Sequence, residues 1–93
     1  APCLIVCHAD KDWAWATEDC TLALSYLELM APTLGLGATW SGYFMSAYKT
    51  YPPLAEALPL PEGRKIAGAM MIGYGSFKYH RLPKRKSAVI DWK

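Results

Sequence analysis

The 93-residue chain is 53% hydrophobic and 19% charged, with a formal net charge of +2, against roughly 45–50% and about 25% for an average globular protein. The apolar surplus excludes a disordered chain, and no run approaches the roughly 20 apolar residues of a membrane-crossing helix. The charge is unevenly placed: residues 1–63 carry seven acids and two bases, residues 64–93 eight bases and one acid. A basic end of this kind seeks anions, whether a nucleic-acid backbone, an acidic partner surface or a cofactor phosphate. A domain this small has little interior, so a partner is the expected place for the apolar surplus. The chain opens at Ala1 rather than methionine, and a fragment or processed product is the expectation. Cys3, Cys7 and Cys20 cannot all pair within one chain, which points to a reducing, cytoplasmic compartment.

In chain order, Leu4 to Cys7 is a short β-branched run that reads as a buried strand. Asp10 and Asp12 are candidate caps for the helix that follows. From about Ala14 to Leu34, Cys20, Ala23, Leu24, Leu27, Met30, Ala31 and Leu34 recur at helical spacing, and Leu22, Tyr26 and Leu29 form a second apolar face. A helix apolar nearly all round is buried on several sides. Pro32 bends or stops it, and Gly35 or Gly37 supplies its C-terminal cap.

A glycine-bounded stretch from Ala38 to Gly42 comes next. Tyr43 to Tyr48 then reads as a short helix capped by Ser41, and Pro52 opens another through Leu58. Pro59 to Gly63 is a turn. Ile66 to Tyr74 is a continuous apolar run, read as a central strand buried on both faces, with glycines where another backbone packs closely. Ala88, Val89 and Ile90 supply one further candidate strand. The order strand, long helix, short helices, strand, tail predicts an α+β fold, with sheet strands packed on a long buried helix.

Little of this carries chemistry by itself. Cys3 and Cys7 are four apart, about 13 Å along a strand. Zinc ligands sit near 2.3 Å from the metal, so the pair reads as structural thiols rather than a metal site. His8 and His80 belong to no nucleophile–base arrangement. Glu18 and Asp19 are first-turn acids favoured by the helix dipole. Lys84, Arg85 and Lys86 form the strongest charge feature: a solvated run, an anion clamp or a nucleic-acid contact, with Tyr79, His80 and Trp92 available for stacking. No nucleic-acid-binding motif accompanies them, so nucleic acid is the less favoured partner. The residues by themselves offer no acid–base or nucleophile constellation.

Taken together, Ala1-Pro2-x-Leu4-Ile5-Val6, Glu18-Asp19-Cys20 opening a helix to Leu34-Gly35-Leu36-Gly37, Trp40-Ser41-Gly42-Tyr43-Phe44, Leu58-x-Leu60-Pro61-Glu62-Gly63 and Met71-Ile72-Gly73-Tyr74 resemble the nitroreductase superfamily. The likeness is greatest to members fused to an N-terminal ferredoxin-like iron–sulfur domain, which share the Tyr79-His80-Arg81-x-Pro83-x-Arg85-Lys86 ending. The resemblance covers essentially the whole chain as the C-terminal half of that domain. It rests on order and spacing rather than on any one motif.

What it implies is an α+β homodimer with FMN in clefts at the subunit boundary. Thr39, Trp40, Ser41 and Gly42 would pass beside the flavin ring, with backbone N–H groups of Ser41 and Gly42 toward its N5 and O4 atoms. Lys84, Arg85 and Lys86 would hold the phosphate. Electrons would come from NAD(P)H or a ferredoxin-type donor and pass to a nitro compound, quinone or similar small-molecule acceptor. The family's phosphate-gripping N-terminal half has no counterpart among these 93 residues, which places activity of this piece alone in question. The competing expectation is a non-catalytic basic module for nucleic acid or an acidic protein.

Overall fold

The computed structural model describes residues 1–93. Strand β1 (Cys3–Asp10) leads into helix α1 (Ala16–Met30), which tightens into a 3₁₀ segment (Ala31–Leu34). Strand β2 (Gly37–Trp40), helices α2 (Gly42–Thr50) and α3 (Pro52–Ala57) and strand β3 (Arg64–Gly73) follow. The three strands form one antiparallel sheet in the order β1-β3-β2. This is the predicted α+β arrangement, with the apolar run of β3 at its centre.

Pairing, more than local composition, sets strand length. β1 extends beyond Leu4–Cys7 at both ends because β3 offers partners from Cys3 opposite Ile72 to Asp10 opposite Arg64. At the far end the Arg64 guanidinium donates to His8 twice, to Nδ1 at 3.0 Å and to the carbonyl O at 3.1 Å. His8 is thus held within the β1–β3 ladder, two residues before β1 ends.

Helix α1 begins two residues later than its periodicity predicts. Neither Asp10 nor Asp12 caps it: Asp10 Oδ1 accepts the Asp12 N–H at 2.9 Å in the preceding turn, and Trp15 occupies the cap position without a side-chain bond. Glu18 and Asp19 do occupy the first turn, where the free amide ends favour acids. Asp19 also accepts from the Trp13 indole at 2.8 Å. Pro32 ends the regular helix as predicted, since it has no N–H to continue the ladder. Gly35 takes the left-handed conformation (φ 72°) that closes the 3₁₀ turn.

The core forms where α1 meets the sheet. Ala16, Cys20 and Leu24 on the helix are buried, and so is Met70 of β3 on the facing side; Ile66 and Ala69 are the other buried hydrophobic residues of that strand. Gly68 makes the close approach possible: a Cβ there would lie 2.7 Å from Leu24 Cδ1. Only nine of 93 residues are buried, so this core lines a single stripe of the helix. The second face of α1 is bare, with Leu22, Tyr26 and Leu29 at 69%, 79% and 76% exposure. The expected burial of α1 on several sides is thus not met within one chain.

Residues after Gly73 form no regular element, and the strand expected at Ala88–Ile90 is absent. Val89 there is fully exposed, and three apolar residues with no neighbouring strand have no ladder to join. The outlying tail raises the radius of gyration to 16.3 Å, against about 12 Å for a compact chain of this length.

All three cysteines are free thiols. Burial pushes the Cys20 thiol from 9.0 up to about 11, and the Cys7 thiol beside it adds to the effect. The fold thus favours the protonated thiol. Stability linked to it is intact below pH 9.0 and declines as the pH rises toward about 11. Three outcomes follow. Cys20→Ala should flatten the loss of stability over that alkaline interval, read from denaturant midpoints at several pH values, and an unchanged slope refutes the assignment. Gly68→Ala should cost about 1–3 kcal/mol because buried Leu24 has no room to yield. Gly73→Ala should cost less, since its Cβ would meet Pro2 Cδ (2.7 Å) in an exposed terminal residue.

Candidate functional site

Successive side chains of β3 point to opposite faces of the sheet. Met70 faces α1 and is fully buried, whereas Met71 looks the other way and is 38% exposed. Register places Leu4 and Thr39 opposite Met71 on that second face, and Trp40 opposite Met70 on the helix face. The face away from α1 is where a cavity of about 410 Å³ opens, walled by Cys3, Leu4 and Met71 from the sheet and by Ser41 to Phe44 at the start of α2. None of its lining residues carries a charged side chain.

Ser41 is the joint between β2 and α2. Its N–H donates to Ala69 O at 3.0 Å, continuing the sheet, and its carbonyl accepts the Met45 N–H at 3.0 Å, beginning the helix. The residue stands at the predicted cap position, but its hydroxyl makes no cap. Ser41 Oγ is buried and has no hydrogen-bond partner at all. An orphaned buried hydroxyl costs about 1–3 kcal/mol, and such groups are rare.

The first-turn amides of α2, at Gly42, Tyr43 and Phe44, have no intrahelical acceptors by helix geometry and no side-chain cap. They add the partial positive charge of a helix N-terminus. Gly42 contributes space: a Cβ built there would meet nothing within 4 Å. Glycine at this point satisfies no packing demand of the protein and leaves the cavity wall open.

Of the residues singled out from sequence, Trp40, Ser41 and Gly42 meet at this cavity. Thr39 is on the neighbouring wall, in a second depression with Gly37, Ala38 and Gly73. Ser41 and Gly42 differ in one respect that matters: the Ser41 amide is already engaged by Ala69, so Gly42 opens the run of free donors. Lys84, Arg85 and Lys86 are not brought to the cavity. They lie exposed in the tail, and Lys84 borders a separate cleft with Tyr79, Arg81 and Pro83. None of the three forms an ion pair, the one salt bridge being Lys93 to Asp91 at 3.8 Å.

Sequence reasoning missed Cys3, Leu4 and Met71 as cavity walls, although strand alternation puts Leu4 and Met71 on one face once the two strands are paired. It also missed Glu28, whose Oε2 accepts the Trp40 indole N–H at 3.0 Å. No periodicity connects residues twelve apart on a helix and a strand. No group of three His, Cys, Asp or Glu side chains is arranged to hold a metal. No helix is long and apolar enough to cross a membrane.

Comparison with known proteins agrees with the architecture. A nitroreductase with bound FMN from Bacteroides fragilis superposes with a TM-score of 0.70 at 24% identity, covering 97% of this chain and 51% of that one. An FMN-bound nitroreductase from Desulfitobacterium hafniense gives 0.69 at 24% identity over 90% and 47%. An iodotyrosine deiodinase bound to FMN and 3-iodo-L-tyrosine gives 0.64 at 23% identity over 96% and 46%. The chain therefore spans about half the length of the structures it matches. At these identities the likeness establishes the shared fold. No curated protein matches. The model of the nitroreductase family matches residues 1–74, from β1 through the end of β3, and on that match the chain belongs to the nitroreductase family.

Proposed function

We propose that this chain forms half of an FMN-dependent oxidoreductase that reduces nitro compounds, quinones or similar acceptors. The electrons come from reduced nicotinamide or from a ferredoxin-type donor. The observation that carries the reading is the β2–α2 joint, where an orphaned Ser41 hydroxyl and the free first-turn amides surround an uncharged, largely apolar cavity. A flat, polar-edged ring needs such a place: apolar walls for its faces and preformed donors for its edge atoms. FMN, when bound, supplies the electron transfer. The protein's contribution is to bind and orient it.

Each group has a role on this reading. Ser41 Oγ and the Gly42 amide donate to the ring's polar edge, which gives the buried hydroxyl its missing partner. The absent side chain at Gly42 lets the ring approach the backbone. Thr39 and Trp40 border the ring where β2 ends. The partial positive charge at the start of α2 favours electron density on a reduced ring. Lys84, Arg85 and Lys86 hold the phosphate. Their separation from the joint within one chain is met by a homodimer whose clefts are shared between subunits. The bare stripe of Leu22, Tyr26 and Leu29 supports that assembly, because obligate interfaces resemble a domain core. The ferredoxin-type donor rests on the Tyr79 to Lys86 ending, and three free thiols suit a cytoplasmic setting.

The test is flavin titration of the full-length protein by fluorescence quenching. Ser41→Ala removes no bond within the chain, so the flavin-free protein should keep its stability while FMN binding weakens by roughly fivefold or more. Gly42→Val should fold, since open space surrounds that position, yet lose flavin. Arg85→Ala should weaken FMN more than riboflavin, which lacks the phosphate. Normal FMN loading in Gly42→Val sinks the assignment. Equal loss of both flavins in Arg85→Ala, with salt-sensitive nucleic-acid binding in the parent, would favour the basic-module alternative.

For the dimer, Leu29→Glu places an unpaired carboxylate in the interface, at a cost of several kcal/mol. Sedimentation followed at the flavin absorbance should show dimer and FMN lost together. A flavin-bound monomer overturns the shared site.

A further inference from the structure

Glu28 stands where a carboxylate does a helix no good. It occupies the last turn of α1, where there is no basic residue. The partial negative charge of the helix C-terminus disfavours an acid there. What the position does offer is reach: Glu28 Oε2 accepts the Trp40 indole N–H at 3.0 Å, from α1 to the last residue of β2. β2 is four residues long and pairs on one side only, with β3. The Ala69 carbonyl holds the joint from the sheet side, through the Ser41 N–H at 3.0 Å. Glu28 holds it from the helix side. Trp40 borders the cavity, while Glu28 itself is not among its lining residues, so the carboxylate reaches the site only through the indole.

We infer that Glu28 is a positioning residue for the Ser41–Gly42 site, acting from the far face of the sheet through the Trp40 indole. It fixes the direction in which β2 ends, and therefore where the Ser41 hydroxyl and the first amides of α2 stand relative to Met71 and the cavity. A charge-assisted bond suits this task, being shorter and more directional than a neutral one. The arrangement trades helix stability for placement of the joint. The identity of the ligand rests on the flavin reading above; the positioning does not.

The separation can be measured in full-length protein. Hydrogen exchange without flavin reads the joint through two amides it protects, Ser41 (to Ala69 O) and Met45 (to Ser41 O). In Glu28→Ala both should exchange roughly fivefold faster, while the Met70 amide of β3 should not change. Glu28→Gln, whose amide oxygen still accepts, should restore protection. In a Trp40→Phe background Glu28→Ala should have no further effect. Thermal stability of flavin-free Glu28→Ala should match or exceed the parent, because an ill-placed acid has gone, whereas its FMN dissociation constant should rise by a similar factor.

Acceleration spread evenly over β3, or persisting undiminished in the Trp40→Phe background, overturns the inference. So does unchanged FMN affinity in the face of a loosened joint. If the parent protein binds no FMN, the flavin reading fails by itself, and the exchange data still decide the role of Glu28.

Discussion

The rest of the structure hangs on one close contact, the seating of Leu24 over Gly68. With no side chain at Gly68, α1 settles directly onto the central strand, and Cys20 and Ala16 follow along the same stripe. Because α1 covers one face of the sheet, the other is left for α2 and the cavity. Because Met70 is committed to the helix side, Met71 is committed to the cavity side. The site is in this sense the reverse of the core: a two-residue period carries one methionine into packing and its neighbour to a binding wall.

How much of this was legible beforehand depends on range. β1, α1 and β3 follow from composition and spacing within a dozen residues, and the stop at Pro32 and the left-handed Gly35 are local chemistry. The features that make the joint a site are not local. That Ser41 lends its amide to Ala69 and leaves its hydroxyl unpartnered depends on a strand 28 residues further on. The bond from Glu28 to Trp40 depends on a helix crossing a strand. The candidate strand at Ala88–Ile90 fails for the complementary reason: its residues suit a sheet, but an extended segment becomes a strand only where a ladder receives it.

The apolar composition also reads differently once the fold is in view. A surplus of hydrophobic residues was expected to mean a partner, and the structure locates it: the Leu22–Tyr26–Leu29 stripe, the all-apolar groove beside Leu27 and Leu34, and the aromatic residues of the tail. The chain spans about half the length of the FMN-bound nitroreductase from Bacteroides fragilis.

The strand order has a practical meaning of its own. With β3 in the middle, β1 and β2 each present an outer row of backbone amides and carbonyls that nothing within the chain satisfies. Nature usually guards such margins with prolines, inward charges, bulges or a covering helix. β1 has eight residues, and the devices along it are a bulge in its pairing with β3 between Cys7 and His8, Pro2 just before it and Asp10 at its end. Made by itself, the polypeptide offers a ready template for strand addition, and copies of it would tend to zip into extended sheets rather than stay apart in solution. Expression of this segment therefore calls for a capping partner chain, or for lysine placed along β1, before any biochemical assay is attempted.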